Sequence, residues 1–258
     1  MNVVVPPPVN AGRDTAARRA GRQGLVDVLF DRHGRRRLPR QRDLIDAING
    51  CDERDVWWVC EANSAGPLYL LPTREWLGEL CDFLDDAKAQ SVLEVAAGDG
   101  FLAQCLARRR PDLDVKASDD HSWTASQGRM TPADRAEFGA TVFAGIQPLP
   151  IVEKRSAVGA VNAHRPDIVI VAWAPPGTLV DRVIQAPATQ LLLDLSVDGD
   201  VCGNGMGTWR FEKDFLQGPI ESRALCRLDA RPDVKRHTTA TLYYGRGHGL
   251  YAVQARTR

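Results

Sequence analysis

An α/β fold with a doubly wound, mostly parallel sheet is what this 258-residue sequence predicts. Three observations predict it. Short apolar strands alternate with helix-length stretches from about residue 72 onward. Those strands are continuous apolar runs, as burial on both faces requires. And one strand-to-helix junction, SVLEVAAGDGFLAQCLA at 91–107, is almost bare of side chains at its turn.

Taken in order, residues 1–11 read as a proline-rich, disordered tail, and 12–71 as a helical N-terminal cap with pieces near 13–31, 40–49 and 54–63. Residues 1–50 hold ten arginines against five aspartates, leaving 23 basic and 28 acidic residues for the remainder. The densest run, DRHGRRRLPRQR, reads either as a phosphate or nucleic-acid patch or as a solvated connector. With no interleaved aromatics and zero formal net charge, the connector is favoured. LPTREWLGELCDFLDD then sets Trp76, Leu77, Leu80, Cys81 and Leu84 on one helical face. Strands follow at 91–95, 114–119, about 150–153, 167–173 and 190–196, with helices at 101–109, 156–164, 178–186 and 209–217. SRALCRLDA and HTTATLYYGR close the chain as an expected antiparallel hairpin. Residues 121–149 exceed a normal connection; TPADRAEF within them starts a helix, and an insertion at that sheet edge suits a lid.

No apolar run approaches the roughly 18 residues that span a bilayer, and MNVVVPPPVNAGRD lacks the features of a signal peptide. Six cysteines without C-x-x-C spacing suit reduced thiols. The expectation is a cytoplasmic globular protein. No histidine or carboxylate pair has metal-ligand spacing, so no required metal is expected.

In LEVAAGDGFLA, Glu94 closes the strand while Gly98 and Gly100 permit a tight turn and the close approach of a ligand to a helix N-terminus. A dinucleotide frame, G-x-G-x-x-G, would read Ala96, Gly98 and Phe101, with a bulky third position. The spacing acidic-x-G-x-G-x-G instead resembles motif I of class I S-adenosylmethionine-dependent methyltransferases, with Ala96 replacing the first glycine. That family has a Rossmann-like sheet ending in an antiparallel hairpin, and the resemblance covers roughly 72–258. It implies S-adenosyl-L-methionine as cofactor and S-adenosyl-L-homocysteine as product. It also implies a cofactor site at Glu94, Ala96, Gly98, Asp99 and Gly100. Asp119, at the end of the second strand in VKASDD, is implied to bind the ribose hydroxyls. Tyr69 and Ala172 are further candidate contacts.

VAWAPPGT at 171–178 resembles the family's motif IV. Its Ala174, Pro175, Pro176, Gly177 series lacks both the amide or carboxylate and the final aromatic of enzymes that methylate DNA bases, so a nucleic-acid substrate is disfavoured. Trp173 is a candidate pocket wall. Asp119, Asp120, Asp194, Asp198, Asp200 and Glu212 make the expected ligand edge acidic, which suits a cationic or hydrogen-bond-donating acceptor. Asp120, His121 and Glu212 are the candidate proton acceptors, His121 for a hydroxyl substrate. The reading is a methyltransferase of a polar small molecule, at an amine or guanidine nitrogen before a hydroxyl. The alanine, arginine and aspartate bias associates it with secondary-metabolite or antibiotic biosynthesis. Alternatives are an O-methyltransferase, a nicotinamide-dependent oxidoreductase and a non-catalytic cofactor-binding protein. A homodimer is compatible with the sequence.

Overall fold

The structure, a computed structural model, describes residues 16–52, 55–56, 59–60, 66–122, 146–174, 177–197, 207–216, 225–226 and 238–254. It divides into two compact units. One comprises the described parts of Met1–Glu75, His121–Gln147 and Leu225–Lys235, the other those of Trp76–Asp120, Pro148–Ala224 and Arg236–Arg258.

The first unit is built on α1 (Ala16–Leu29) and α2 (Gln41–Asn49). Leu25, Val26 and Leu29 of α1 and Leu44 of α2 share a buried cluster with Phe30, Leu68 and Leu71. Spacings of three and four residues in α1 explain why those positions meet on one side. Buried Asp55 is satisfied by Arg18, at 2.9 Å and 3.0 Å, and by Arg22 at 3.3 Å. A two-stranded antiparallel ladder joins β1 (Leu70–Leu71) to β8 (Leu225–Cys226).

The second unit is a seven-stranded sheet in the order β4-β3-β2-β5-β6-β9-β7. Its strands are β2 (Ser91–Val95), β3 (Asp114–Asp119), β4 (Val152–Lys154), β5 (Ile168–Ala172), β6 (Leu191–Val197), β7 (Lys213–Phe215) and β9 (Thr238–Tyr244). The five from β2 to β6 pair in parallel. β9 runs antiparallel between β6 and β7. The fold is therefore α/β and Rossmann-like, with an antiparallel pair at its end. Register aligns Val95, Val171 and Asp194 in one row and Leu93, Val169 and Leu192 in the next. Against these pack Ala157, Ala160 and Val161 of α5 (Ala157–His164) and Val180, Val183 and Ile184 of α6 (Leu179–Ile184). The predicted amphipathic face of α3 (Arg74–Asp86) is present, with Trp76, Leu77, Leu80, Cys81 and Leu84 all buried. Fully burying such a side chain contributes about 1.5–3 kcal/mol.

Two segments depart from the sequence reading. The helix expected at 209–217 is a single 3-10 turn, Thr208–Arg210, followed by strand β7. Trp209, Phe211, Lys213 and Phe215 fall at every second position, and that strand period prevails over helical propensity once β9 offers a ladder. The terminal antiparallel partner of β9 is accordingly β7, while Leu225–Cys226 of the expected hairpin pairs with β1. The insertion helix expected at 131–138 lies outside the described residues. Among the described residues no helix is long and apolar enough to cross a membrane, and no cluster of three metal-ligating side chains occurs. Cys51, Cys60, Cys81 and Cys105 are free thiols.

Candidate functional site

The carboxyl ends of β2, β3 and β5 lie side by side, where open α/β sheets bind ligands. Each is followed by left-handed backbone. Ala96, one residue past β2, has φ 52°; His121, two past β3, has φ 59°; Trp173, one past β5, has φ 56°. Such conformations cost non-glycine residues roughly 1–2 kcal/mol each. The other two non-glycine examples among the described residues, Lys88 and Arg165, sit at helix C-termini, where this conformation is routine. Lys88 completes a Schellman motif, with its N–H on Asp85 O and the Ala89 N–H on Leu84 O. The three strand-end residues are thus the unusual group.

The glycine turn is tied down from several directions. Gly98 and Gly100 are also left-handed, at φ 56° and 75°. The Gly98 N–H donates to a carboxylate oxygen of Asp119 at 2.9 Å, joining the turn after β2 to the last residue of β3. Ala97 N–H donates to Ser118 O at 3.0 Å. Glu94, buried at the end of β2, accepts from the Ala103 N–H at 2.8 Å in the first turn of α4 (Phe101–Arg109). Asp99 accepts from the Phe101 N–H at 3.1 Å, so two acids serve the helix's otherwise unpaired N-terminal donors.

Sequence reasoning missed the contacts made by β4 and the residues on either side of it. Leu149 N–H bonds Asp99 O at 2.9 Å, and Arg155 N–H bonds Asp119 O at 3.0 Å. A Cβ on Gly100 would fall 2.3 Å from Val152 Cγ2 and 3.3 Å from Ile151 Cγ2. Gly100 is therefore demanded by packing whether or not a ligand is bound. No local pattern in the sequence signals that contact, because it joins residues about fifty apart.

The remaining candidates are spread over the fold. Asp120 is exposed just beyond β3, and His121 is half-buried. Ala172 ends β5, half-buried, and Trp173 follows it, buried, with its backbone N–H on Leu195 O at 2.9 Å. Asp194 is wholly buried in β6 and accepts from the Ser196 hydroxyl at 3.2 Å. Burial, reinforced by Asp194 and Asp181, pushes the Tyr243 phenol upward in pKa. Glu212 is half-buried before β7; its N–H donates to Ala252 O and its carbonyl accepts from the N–H of Tyr244. Tyr244 pairs with Leu191 at the start of β6, so Glu212 stands at the amino edge of the sheet and not on the ligand edge where the sequence reading put it. Tyr69, partly exposed, belongs to the first unit. Asp198 and Asp200 lie outside the described residues, as do Pro175 and Pro176. Other histidines have local partners: His164 bonds Glu153 at 2.8 Å, and His248 accepts from Leu250 N–H at 3.1 Å.

No family model matches this chain. No curated protein matches it either. Among solved structures, the methyltransferase domain of bacterial CtHen1-CN is 12% identical, with 66% of this chain and 98% of that one covered and a TM-score of 0.37. The CurJ carbon methyltransferase is 13% identical, covering 80% of this chain and 59% of that one, with a TM-score of 0.37. The sugar N-methyltransferase KedS8 from Streptoalloteichus sp ATCC 53650 is 17% identical, covering 56% of each chain, with a TM-score of 0.30. The chain thus spans little more than half the length of the last two. At these TM-scores the likenesses carry no inference about chemistry.

Proposed function

We propose that this chain is an S-adenosylmethionine-dependent methyltransferase of a polar small molecule, with an amine or guanidine nitrogen preferred over a hydroxyl as acceptor. The observation that carries the reading is the Asp119–Gly98 bond at 2.9 Å. It links the two places in the sequence that resemble the family's cofactor motifs. An ionised carboxylate offers about four acceptor sites, which suits Asp119 to ribose hydroxyls as well as to a backbone N–H. The left-handed glycine turn beside it leaves backbone uncovered for the amino-acid end of the cofactor.

S-adenosylmethionine, held by the Glu94–Gly100 turn and Asp119, would supply a methyl group activated by its sulfonium, with S-adenosylhomocysteine as the leaving group. The chain's own part is then chiefly to position the acceptor and exclude water. Trp173 walls the acceptor side. Asp120 holds a nitrogen acceptor by its N–H groups and takes the proton it sheds, while His121 serves as base for a hydroxyl; Glu212, at the opposite edge of the sheet, takes no part. The enzyme is cytoplasmic.

Calorimetric titration of the wild type, Gly98→Val and Asp119→Ala with S-adenosylmethionine, S-adenosylhomocysteine and NAD tests this. The expected outcome is saturable binding of the first two ligands only. It is abolished in Gly98→Val and weakened by about 1.5–3 kcal/mol, or roughly 10- to 150-fold, in Asp119→Ala. Wild-type affinity in both folded variants, or binding of NAD alone, overturns the reading.

A further inference from the structure

The first unit has more arginine than acid, and its ion pairs are selective. Arg18 and Arg22 bind Asp55, Arg35 binds Asp31 at 2.8 Å, and Arg42 binds Asp46 at 3.6 Å. Arg37, Arg40 and Arg74 take part in none of these pairs, and all three line one cavity of about 150 Å³. Asp27 and Asp43 also line it, yet no ion pair joins either of them to the three arginines among the described residues. Five formal charges thus share the cavity with an excess of one positive.

Two of the guanidiniums are held in place by backbone. Arg37 Nη1 donates to Asp27 O at 2.9 Å, and Arg74 Nε donates to Leu38 O at 2.9 Å. Each bond uses one of five N–H donors and leaves the rest for a ligand. Arg40, at the N-cap of α2, is exposed. The two carboxylates offset the three guanidiniums only in part, and the guanidinium fork matches phosphate oxygens in pairs. The carboxylates disfavour a bare anion but accept hydrogen bonds from hydroxyls on the same molecule. Asp27 retains capacity for this beyond the 2.7 Å bond from Gln23 Nε2.

We propose that this cavity binds a small phosphate monoester bearing hydroxyl groups, of the sugar-phosphate class. A nucleic-acid surface fits less well, since no aromatic side chain lines the cavity for base stacking. Nothing in this proposal depends on the methyltransferase reading, and its test uses no methyl donor.

The test titrates the full-length protein with ribose 5-phosphate, ribose, inorganic phosphate and a single-stranded oligonucleotide, by calorimetry in a phosphate-free buffer at near-physiological salt. Ribose 5-phosphate is expected to saturate at one site, phosphate to bind more weakly, and ribose not at all. Arg40→Ala, which removes an exposed side chain, should weaken ribose 5-phosphate by about tenfold. Arg42→Ala, whose side chain is 90% exposed and paired with Asp46, should change nothing. Asp43→Asn should weaken ribose 5-phosphate but not phosphate. Absence of saturable binding at millimolar concentrations overturns the proposal. So does equal loss in Arg40→Ala and Arg42→Ala, which marks diffuse surface charge, or tighter binding of the oligonucleotide than of ribose 5-phosphate.

Discussion

The two ends of the central strands use the same chemistry for different purposes. At the amino end, one oxygen of Asp167 accepts from Gln90 N–H at 2.8 Å, Ser91 N–H at 2.9 Å and the Ser91 hydroxyl at 2.9 Å, while Ser91 Oγ accepts from Asp167 N–H at 3.0 Å. Asp167 is exposed, and none of these residues has left-handed backbone. At the carboxyl end, Asp119 also accepts a backbone N–H, but it is buried and surrounded by left-handed residues. Backbone strain persists only where the surroundings over-determine it, and it gathers at binding sites. The amino end is a bolt between β2 and β5. The carboxyl end is a turn held in a costly shape, which suits a surface made to receive something.

Exchanging the roles of the two carboxylates is the sharpest way to break this contrast. Asp119→Ala should cost roughly 10- to 150-fold in S-adenosylmethionine affinity. Asp167→Ala should leave affinity unchanged and lower unfolding free energy by about 1 kcal/mol, since exposure to solvent reduces the worth of its hydrogen bonds. Affinity by calorimetry and stability by urea unfolding separate the two. Loss of affinity in Asp167→Ala would erase the distinction between the ends.

Gly100→Ala probes the carboxyl end without a ligand. The added methyl meets Val152 Cγ2 at 2.3 Å on backbone of φ 75°, so overpacking and strain together should destabilise the protein by about 2–4 kcal/mol. Thermal melting of the ligand-free protein reads this directly. An unchanged melting temperature would mean that Val152 yields freely and that the turn is less fixed than its contacts imply.

The amino-end bolt also has a pH signature. Burial opposes ionisation of Asp167, but the Gln90 N–H and the Ser91 hydroxyl and N–H outweigh it, so its pKa is lowered. A carboxylate whose folded pKa lies below the ordinary value of about 3.9 contributes fully above that value and loses its contribution as pH falls through the depressed one. The stability gap between wild type and Asp167→Asn should therefore stay constant from pH 7 to about 5 and close below about 4. Stability measured across this range checks it; a gap that closes near neutral pH would implicate another group.

What could be read in advance follows from what each feature depends on. β5 was legible because its apolar run is continuous, β6 because it opens on three leucines, and α3 because its buried residues recur at helical spacing. The glycine turn was legible because Glu94, Gly98 and Gly100 lie within seven residues. β7 was misread because a three-residue strand owes its existence to pairing with β9, not to its own propensity. The contact that fixes Gly100 was invisible for the same reason: Val152 reaches it only after the sheet has formed. The cavity of Arg37, Arg40 and Arg74 lay within a recognisable arginine-rich region, but sequence could not separate those three from neighbours already committed to ion pairs.

The smallest expected effect sharpens the comparison furthest. Ala96→Gly and Lys88→Gly remove a side chain from similar left-handed backbone, at φ 52° and 55°. Each should be relieved of strain, offset by the greater freedom of glycine in the unfolded chain, for a net gain of about 0.5–1 kcal/mol. Lys88 ends a helix, where the conformation serves only the chain. Ala96 stands where the methyltransferase pattern has its first glycine, so Ala96→Gly should gain stability and keep or improve cofactor affinity, while Lys88→Gly gains stability alone. Denaturant unfolding and calorimetry on both variants decide it. Reduced affinity in a stabilised Ala96→Gly would mean that the alanine methyl is itself a contact, and that this turn accepts its ligand by side-chain packing as well as by bare backbone.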